Sequence, residues 1–212
     1  MYSVLDAILH AVEALSVIDD HSQELCSNKE LFQLVCELVK YPDKFEIATP
    51  CVTATILIAN ILSDVADLAS EISQDYQFLQ GLFDILPFVS SDLEARSALW
   101  SIVARLLIRV QEDHISLTSL HQYVLILANK SDLIEDDLLN GQFGESTAEN
   151  DCLNTYETMS NARKAALRRI ICILNKWSDP KDHLDGNQTC EWQASKVNID
   201  RLLECCRKYT EN

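Results

Sequence analysis

The chain has 212 residues, 48% of them hydrophobic, enough to bury a core in one domain or two small ones. Four glycines and four prolines are too few for a turn-rich β architecture and favour long helices on short loops. A formal net charge of −16 argues against a general nucleic-acid binder, which needs Lys and Arg for phosphate contacts, and against docking on anionic membranes.

Ser3 to Ile18 reads as a first helix, with Ile8, Ala11, Val12 and Leu15 on one face. Ser27 and Glu30 form a capping-box pattern opening a second helix, whose inner quartet is Leu31, Leu34, Val35 and Leu38 and which stops at Tyr41-Pro42-Asp43. The stretch Pro50 to Leu62 is uncharged and leaves no polar side on a helical wheel. It is shorter than the roughly 20 apolar residues that cross a bilayer, so it reads as a central buried helix, capped by Thr49. A short helix follows around Val65 to Ile72. The next presents Leu79, Leu82, Phe83 and Leu86, is weakened by Gly81, and ends near Pro87.

Ser91 and Glu94 form a second capping box and open a long helix through Gln111, with Leu99, Ile102, Val103 and Leu106 inward. Arg96, Arg105 and Arg109 fall outside that quartet and read as solvated. Ser116 or Thr118 starts a helix presenting Leu120, Tyr123, Val124 and Leu127. From Ser131 to Thr158 periodicity fails; eight acidic residues and no Lys or Arg predict a flexible acidic loop. Order resumes at Ser160, with Leu167, Ile170, Ile171 and Leu174 inward, and ends at Asp179-Pro180. Lys181 to Ala194 reads as a polar loop that Trp192 could anchor. A last helix, Asn198 to Tyr209, buries Ile199, Leu202, Leu203 and Cys206.

A four-point apolar pattern thus begins at Leu31, Leu79, Leu120 and Ile199, spaced 48, 41 and 79 residues, the last falling to 51 without the 28-residue acidic insertion. Ala14, Ala59 and Ala104 are 45 apart twice. Helical pairs repeating at about 40–47 residues are the signature of armadillo and HEAT solenoids, against the alternative of an irregular helical bundle. The expectation is an all-α, right-handed armadillo/HEAT-like solenoid of about four helical pairs. Residues 1–130 would hold repeats one to three, 131–158 the acidic loop, and 159–212 the final pair on the same solenoid.

The run CVTATILIANILSDVADLASEIS followed by FLQGLFDIL resembles an armadillo unit, and that resemblance marks Asn60 as a groove residue, against the plainer reading of an Asn satisfied by neighbouring backbone. The order ILHAVEALSVIDD, ELFQLVCELV, CVTATILIANILSDV, FLQGLFDIL resembles the C-terminal part of the serum amyloid A-like family of armadillo-type proteins, in a plant-like form, over about residues 4 to 90. The resemblance implies an intracellular protein, cytoplasmic or nuclear, with a role linked to cell proliferation. It carries no catalytic residues, and it would place the family's N-terminal repeats outside this sequence.

The eight cysteines mostly sit inside helical patterns, and Asp6 and Glu13 interrupt any secretory signal, so free thiols in a reducing compartment are expected. The sequon Asn187-Gln188-Thr189 is then accidental. His114 with His121, and His183 with Cys190, lack zinc-site spacing, and adjacent Cys205 and Cys206 point apart on a helix, so no metal is expected. The absence of a G-x-S-x-G, P-loop, Rossmann or H-E-x-x-H pattern gives no cofactor and no catalytic residue to assign.

Arg163, Lys164, Arg168 and Arg169 make the one dense basic cluster, open to three readings: a solvated face, a holder of the acidic loop, or a receiver of an acidic partner. Asn60 and these four are the candidate partner-binding residues. The expected function is a non-enzymatic protein–protein interaction module that takes a protein or peptide, without nucleic acid or membrane. The alternative is a structural C-terminal part of a larger repeat protein, whose free end repeats dock on others.

Overall fold

The computed structural model describes residues 2–18, 21–42, 49–65, 67–108, 116–140, 150–178 and 190–211, all-α throughout. The chain order is α1 (Tyr2–Ser16), α2 (His21–Ser27), α3 (Lys29–Lys40), α4 (Thr49–Asp64), α5 (Leu68–Ile72), α6 (Tyr76–Val89), α7 (Leu93–Leu106), α8 (Leu117–Asn129), α9 (Ser131–Asn140), α10 (Asn150–Ser178) and α11 (Cys190–Glu211). Helices α1, α4, α7 and α10 lie side by side in that order, and α3, α6, α8 with α9, and α11 form a second row behind them. Contacts of α3 with α4, α6 with α7, and α10 with α11 join the rows. The core lies between them. No described helix is long and apolar enough to cross a membrane.

Helix α4 is the enclosed centre: no residue from Pro50 to Leu62 is exposed. Packing by α1, α3 and α7 explains why it needs apolar side chains on every side. Full burial of Leu57, Ile58, Ile61 and Leu62 is worth about 1.5–3 kcal/mol for each side chain. Its two buried threonines donate back to the preceding turn, Thr53 Oγ1 to Thr49 O at 3.1 Å and Thr55 Oγ1 to Cys51 O at 2.8 Å, so neither hydroxyl is left unsatisfied.

The inner quartets expected of α7, α8 and α11 are all buried. In α10, Leu167, Ile170 and Leu174 are buried and Ile171 is half-buried. Helix α1 differs. Among its described side chains the buried apolar one is Leu9, flanked by half-buried Leu5 and Val12, while Ile8 is 52% and Leu15 45% exposed. The helix carries two apolar stripes, and periodicity alone does not say which one meets α4. Helix α3 shows a milder case, with Leu34 exposed and Val35, Leu38 and Val39 buried.

Both capping boxes act one residue later than expected. Asn28 accepts from Leu31 N at 3.1 Å, while Ser27 closes α2 by donating to Gln23 O. Asp92, not Ser91, accepts from Ala95 N at 3.0 Å. Helix α7 ends at Leu106 rather than running through Gln111.

Pro87 does not end α6, which continues to Val89. The proline removes only the bond to the Phe83 carbonyl, and the fully buried Val89 holds the last turn. Gly81 is a packing requirement rather than a weak point: a Cβ there would lie 2.1 Å from Val39 O and 2.8 Å from Lys40 Cα. Backbones of α3 and α6 meet at this crossing.

The flexible loop expected over 131–158 is corrected at both ends. Ser131–Asn140 is helix α9, and residues 150–158 open α10. The reason is that α9's acids find cations elsewhere in the chain, as described below. Helix α11 likewise starts at Cys190, inside the polar stretch expected to be loop. The middle of the acidic segment, 141–149, lies outside the described residues, as do Arg109, His114, His183, the Asn187 sequon and the Trp192 side chain.

Candidate functional site

The front row carries a groove of about 300 Å³ over α4, α7 and α10. Its floor is one stripe of α7: Glu94, Ser97, Ala98, Ser101 and Arg105, spaced i, i+3, i+4, i+7 and i+11. That stripe lies opposite the buried quartet Leu99, Ile102, Val103 and Leu106, so burial of one face leaves the other to line the groove. Helix α4 supplies Ile56, Ala59, Asn60 and Ser63 to one wall, and α10 supplies Asn154 and Thr158 to the other. Small side chains keep the groove open.

Asn60 lies on one wall of this groove, and it is also tied down. Its Nδ2 donates to Ser16 Oγ of α1 at 3.1 Å, and Ser16 Oγ donates to Glu13 O at 2.6 Å. The amide therefore joins α1 to α4 while its half-buried side chain borders the groove.

Charge divides the groove by its ends. Glu94 is exposed in the first turn of α7, and Arg105 stands in its last turn. Arg105 is not solvated as expected: it donates to Leu62 O and, at 3.4 Å, to Ser63 Oγ, closing the carbonyl end of α4. Arg169 stands beside it, and partial burial together with the Arg105 charge pushes the Arg169 pKa down. Neither arginine has an ion pair among the described residues.

Behind this face, Arg96 is 5% exposed, against the expectation of a solvated residue. Its Nη2 donates to Asp137 O, and its Nε sits 2.8 Å from Asp137 Oδ1, an ionic contact whose N–H points off the hydrogen-bond axis. Trp100 Nε1 donates to Asp137 Oδ2 at 3.0 Å. Arg96 and Trp100, one turn apart on α7, thus share one carboxylate from α9. Arg163 of α10 is buried close by; burial and the charge of Arg96 push its pKa down.

The basic cluster read from sequence is therefore dispersed: Arg163 is buried, Lys164 and Arg169 are half-buried, and Arg168 is exposed. Of the four, Arg169 stands beside a groove residue, Arg105. Glu94, Ser97, Ser101 and Arg105 escaped the sequence reading, although their stripe is legible as the small, polar complement of the inner quartet.

For chemistry the structure offers little activation. Burial pushes the Cys205 and Cys206 thiols up, the direction opposite to that of a reactive cysteine. Cys172, Cys205 and Cys206 are free thiols, and no group of three metal-ligating side chains occurs among the described residues. His121 stacks on Trp177, with ring centroids 5.1 Å apart. No protein-family model, curated protein or solved structure matches the chain.

Proposed function

We propose that the chain is a non-enzymatic protein-interaction module, a right-handed armadillo/HEAT-like solenoid of about four helical pairs that takes a protein or peptide in the α4/α7/α10 groove. The carrying observation is a recurring register between successive helices. Asn60 bonds Ser16 across 44 residues, Arg105 bonds Leu62 across 43, and Lys130 bonds Asp84 across 46. These three bonds span similar intervals, 43 to 46 residues, which supports a stack of similar helical units. On the family resemblance, the module is cytoplasmic or nuclear and its role is linked to cell proliferation.

The test is to fill the groove. Ser101→Trp puts an indole on its floor, and circular dichroism checks that the helices persist. Wild-type and variant chains are then compared by affinity capture from a reducing extract. Loss of specific partners by the folded variant is expected; an unchanged partner set overturns the groove as the binding face.

A second reading, a structural part of a larger helical-repeat assembly, is favoured by α1. Val4, Ile8 and Leu15 form an exposed apolar stripe at helix-packing spacing, distinct from the buried Leu9. A monodisperse monomer at tens of micromolar would count against that reading.

A further inference from the structure

We infer that the occupant of the groove is an extended peptide segment bearing one basic and one acidic side chain about five residues apart. The basic group sits at Glu94 and the acidic group at Arg105, near Arg169. This deepens the interaction-module reading and rests on it.

Three observations specify the occupant. The groove is lined by small side chains over most of its length, with formal charge at its two ends and of opposite sign. Eleven residues of α7 separate Glu94 from Arg105, about 16 Å at 1.5 Å per residue. An extended chain covers that distance in about five residues at roughly 3.3 Å each. A volume of about 300 Å³ admits a few side chains, not a folded domain, so the peptide backbone rides along the rim.

The acceptor end is the more specific one. Arg105 already donates to the carbonyl end of α4, and Arg169 is held beside it with no carboxylate partner among the described residues. Arg105 lines the groove and the Arg169 charge lies close enough to act on it, so this end favours a carboxylate. With a net charge of −16, the whole chain repels a uniformly acidic peptide, whereas a peptide of balanced charge meets no such penalty.

The probe is a dye-labelled, terminally blocked six-residue peptide with lysine first, glutamate last and alanine and serine between, read by fluorescence anisotropy at low salt. Companion peptides carry glutamate at both ends, lysine at both ends, or the two charges only two residues apart. Wild type is expected to prefer the lysine–glutamate peptide over each companion by about tenfold. Arg169→Gln weakens that peptide about tenfold. Glu94→Lys reverses the order, so that the double-glutamate peptide becomes the best ligand, a gain that misfolding cannot imitate. Equal binding of all four peptides, or no change of preference in Glu94→Lys, overturns the inference. Failure of the charge preference combined with partner loss in Ser101→Trp would sink this inference alone. An unchanged partner set in Ser101→Trp would sink the groove reading beneath it.

Discussion

Helices α4 and α9 reach the interior by opposite routes. Helix α4 carries no charge between Val52 and Leu62 and is surrounded because it has no side to show to water. Helix α9, SDLIEDDLLN, holds four acids in ten residues and still buries Ile134, Asp137 and Leu138. Its place depends on cations brought from other helices: Arg96 of α7 against Asp137, and Arg201 of α11 against Asp132 and Glu135. Apolar burial is a property of one segment, whereas a buried charge is a property of two segments that must first meet.

The largest effect should come from putting a charge where α4 has none. Ile58 is fully buried, and Ile58→Asp places a carboxylate among aliphatic side chains with no donor. Loss of the cooperative thermal transition is the expected outcome. A soluble variant with a cooperative melt would mean that α4 is not the centre of the core.

Next in size is removal of the charge that α9 needs. Asp137→Ala strands Arg96 and the Trp100 indole N–H in a buried site, beside a second buried guanidinium, Arg163. Leaving one partner of a buried pair alone costs about 3–5 kcal/mol. Urea unfolding should show a loss of that size, and the Arg96→Met/Asp137→Leu double variant should recover part of it, because two apolar side chains need no partner. A loss below about 1 kcal/mol in Asp137→Ala would make the pair incidental to the placement of α9.

The same contrast explains what the sequence made visible. Inner faces of α7, α8 and α11 were legible because each helix has a single apolar stripe. Helix α1 has two, and the stripe holding Ile8 and Leu15 stays exposed while Leu9 faces α4. Cap positions slipped by one because Ser27-Asn28 and Ser91-Asp92 each offer two good cap residues in a row, and local rules rank them equally. Arg96 and Asp137 lie 41 residues apart, and no periodicity reports such a pair. Of the candidate residues, Asn60 borders the α4/α7/α10 groove and Arg169 stands near Arg105, while burial takes Arg163 out of any exposed basic face. Gly81 was misread for a related reason: its cost to an isolated helix is local, but its use lies in the backbone of α3.

The smallest expected effect isolates burial from charge within α9 itself. Arg201 bonds Glu135 Oε1 through Nε at 2.8 Å and Asp132 through Nη2, so on a drawing it resembles the Arg96 site. Asp132, however, is 81% exposed and Arg201 45%, with Glu135 at 17%, so water reaches Arg201 and Asp132 when the ions separate. Arg201→Ala should therefore shift Tm by less than about 2 °C, as exposed ion pairs do. Salt should erase even that difference, since 1 M salt shortens the screening length to about 3 Å. The Asp137→Ala deficit, measured in the same two buffers, should persist, because its charges are shut away from mobile ions. If both deficits fell together with salt, the interior site would be open to solvent, and α9 would be held by its surface acids instead.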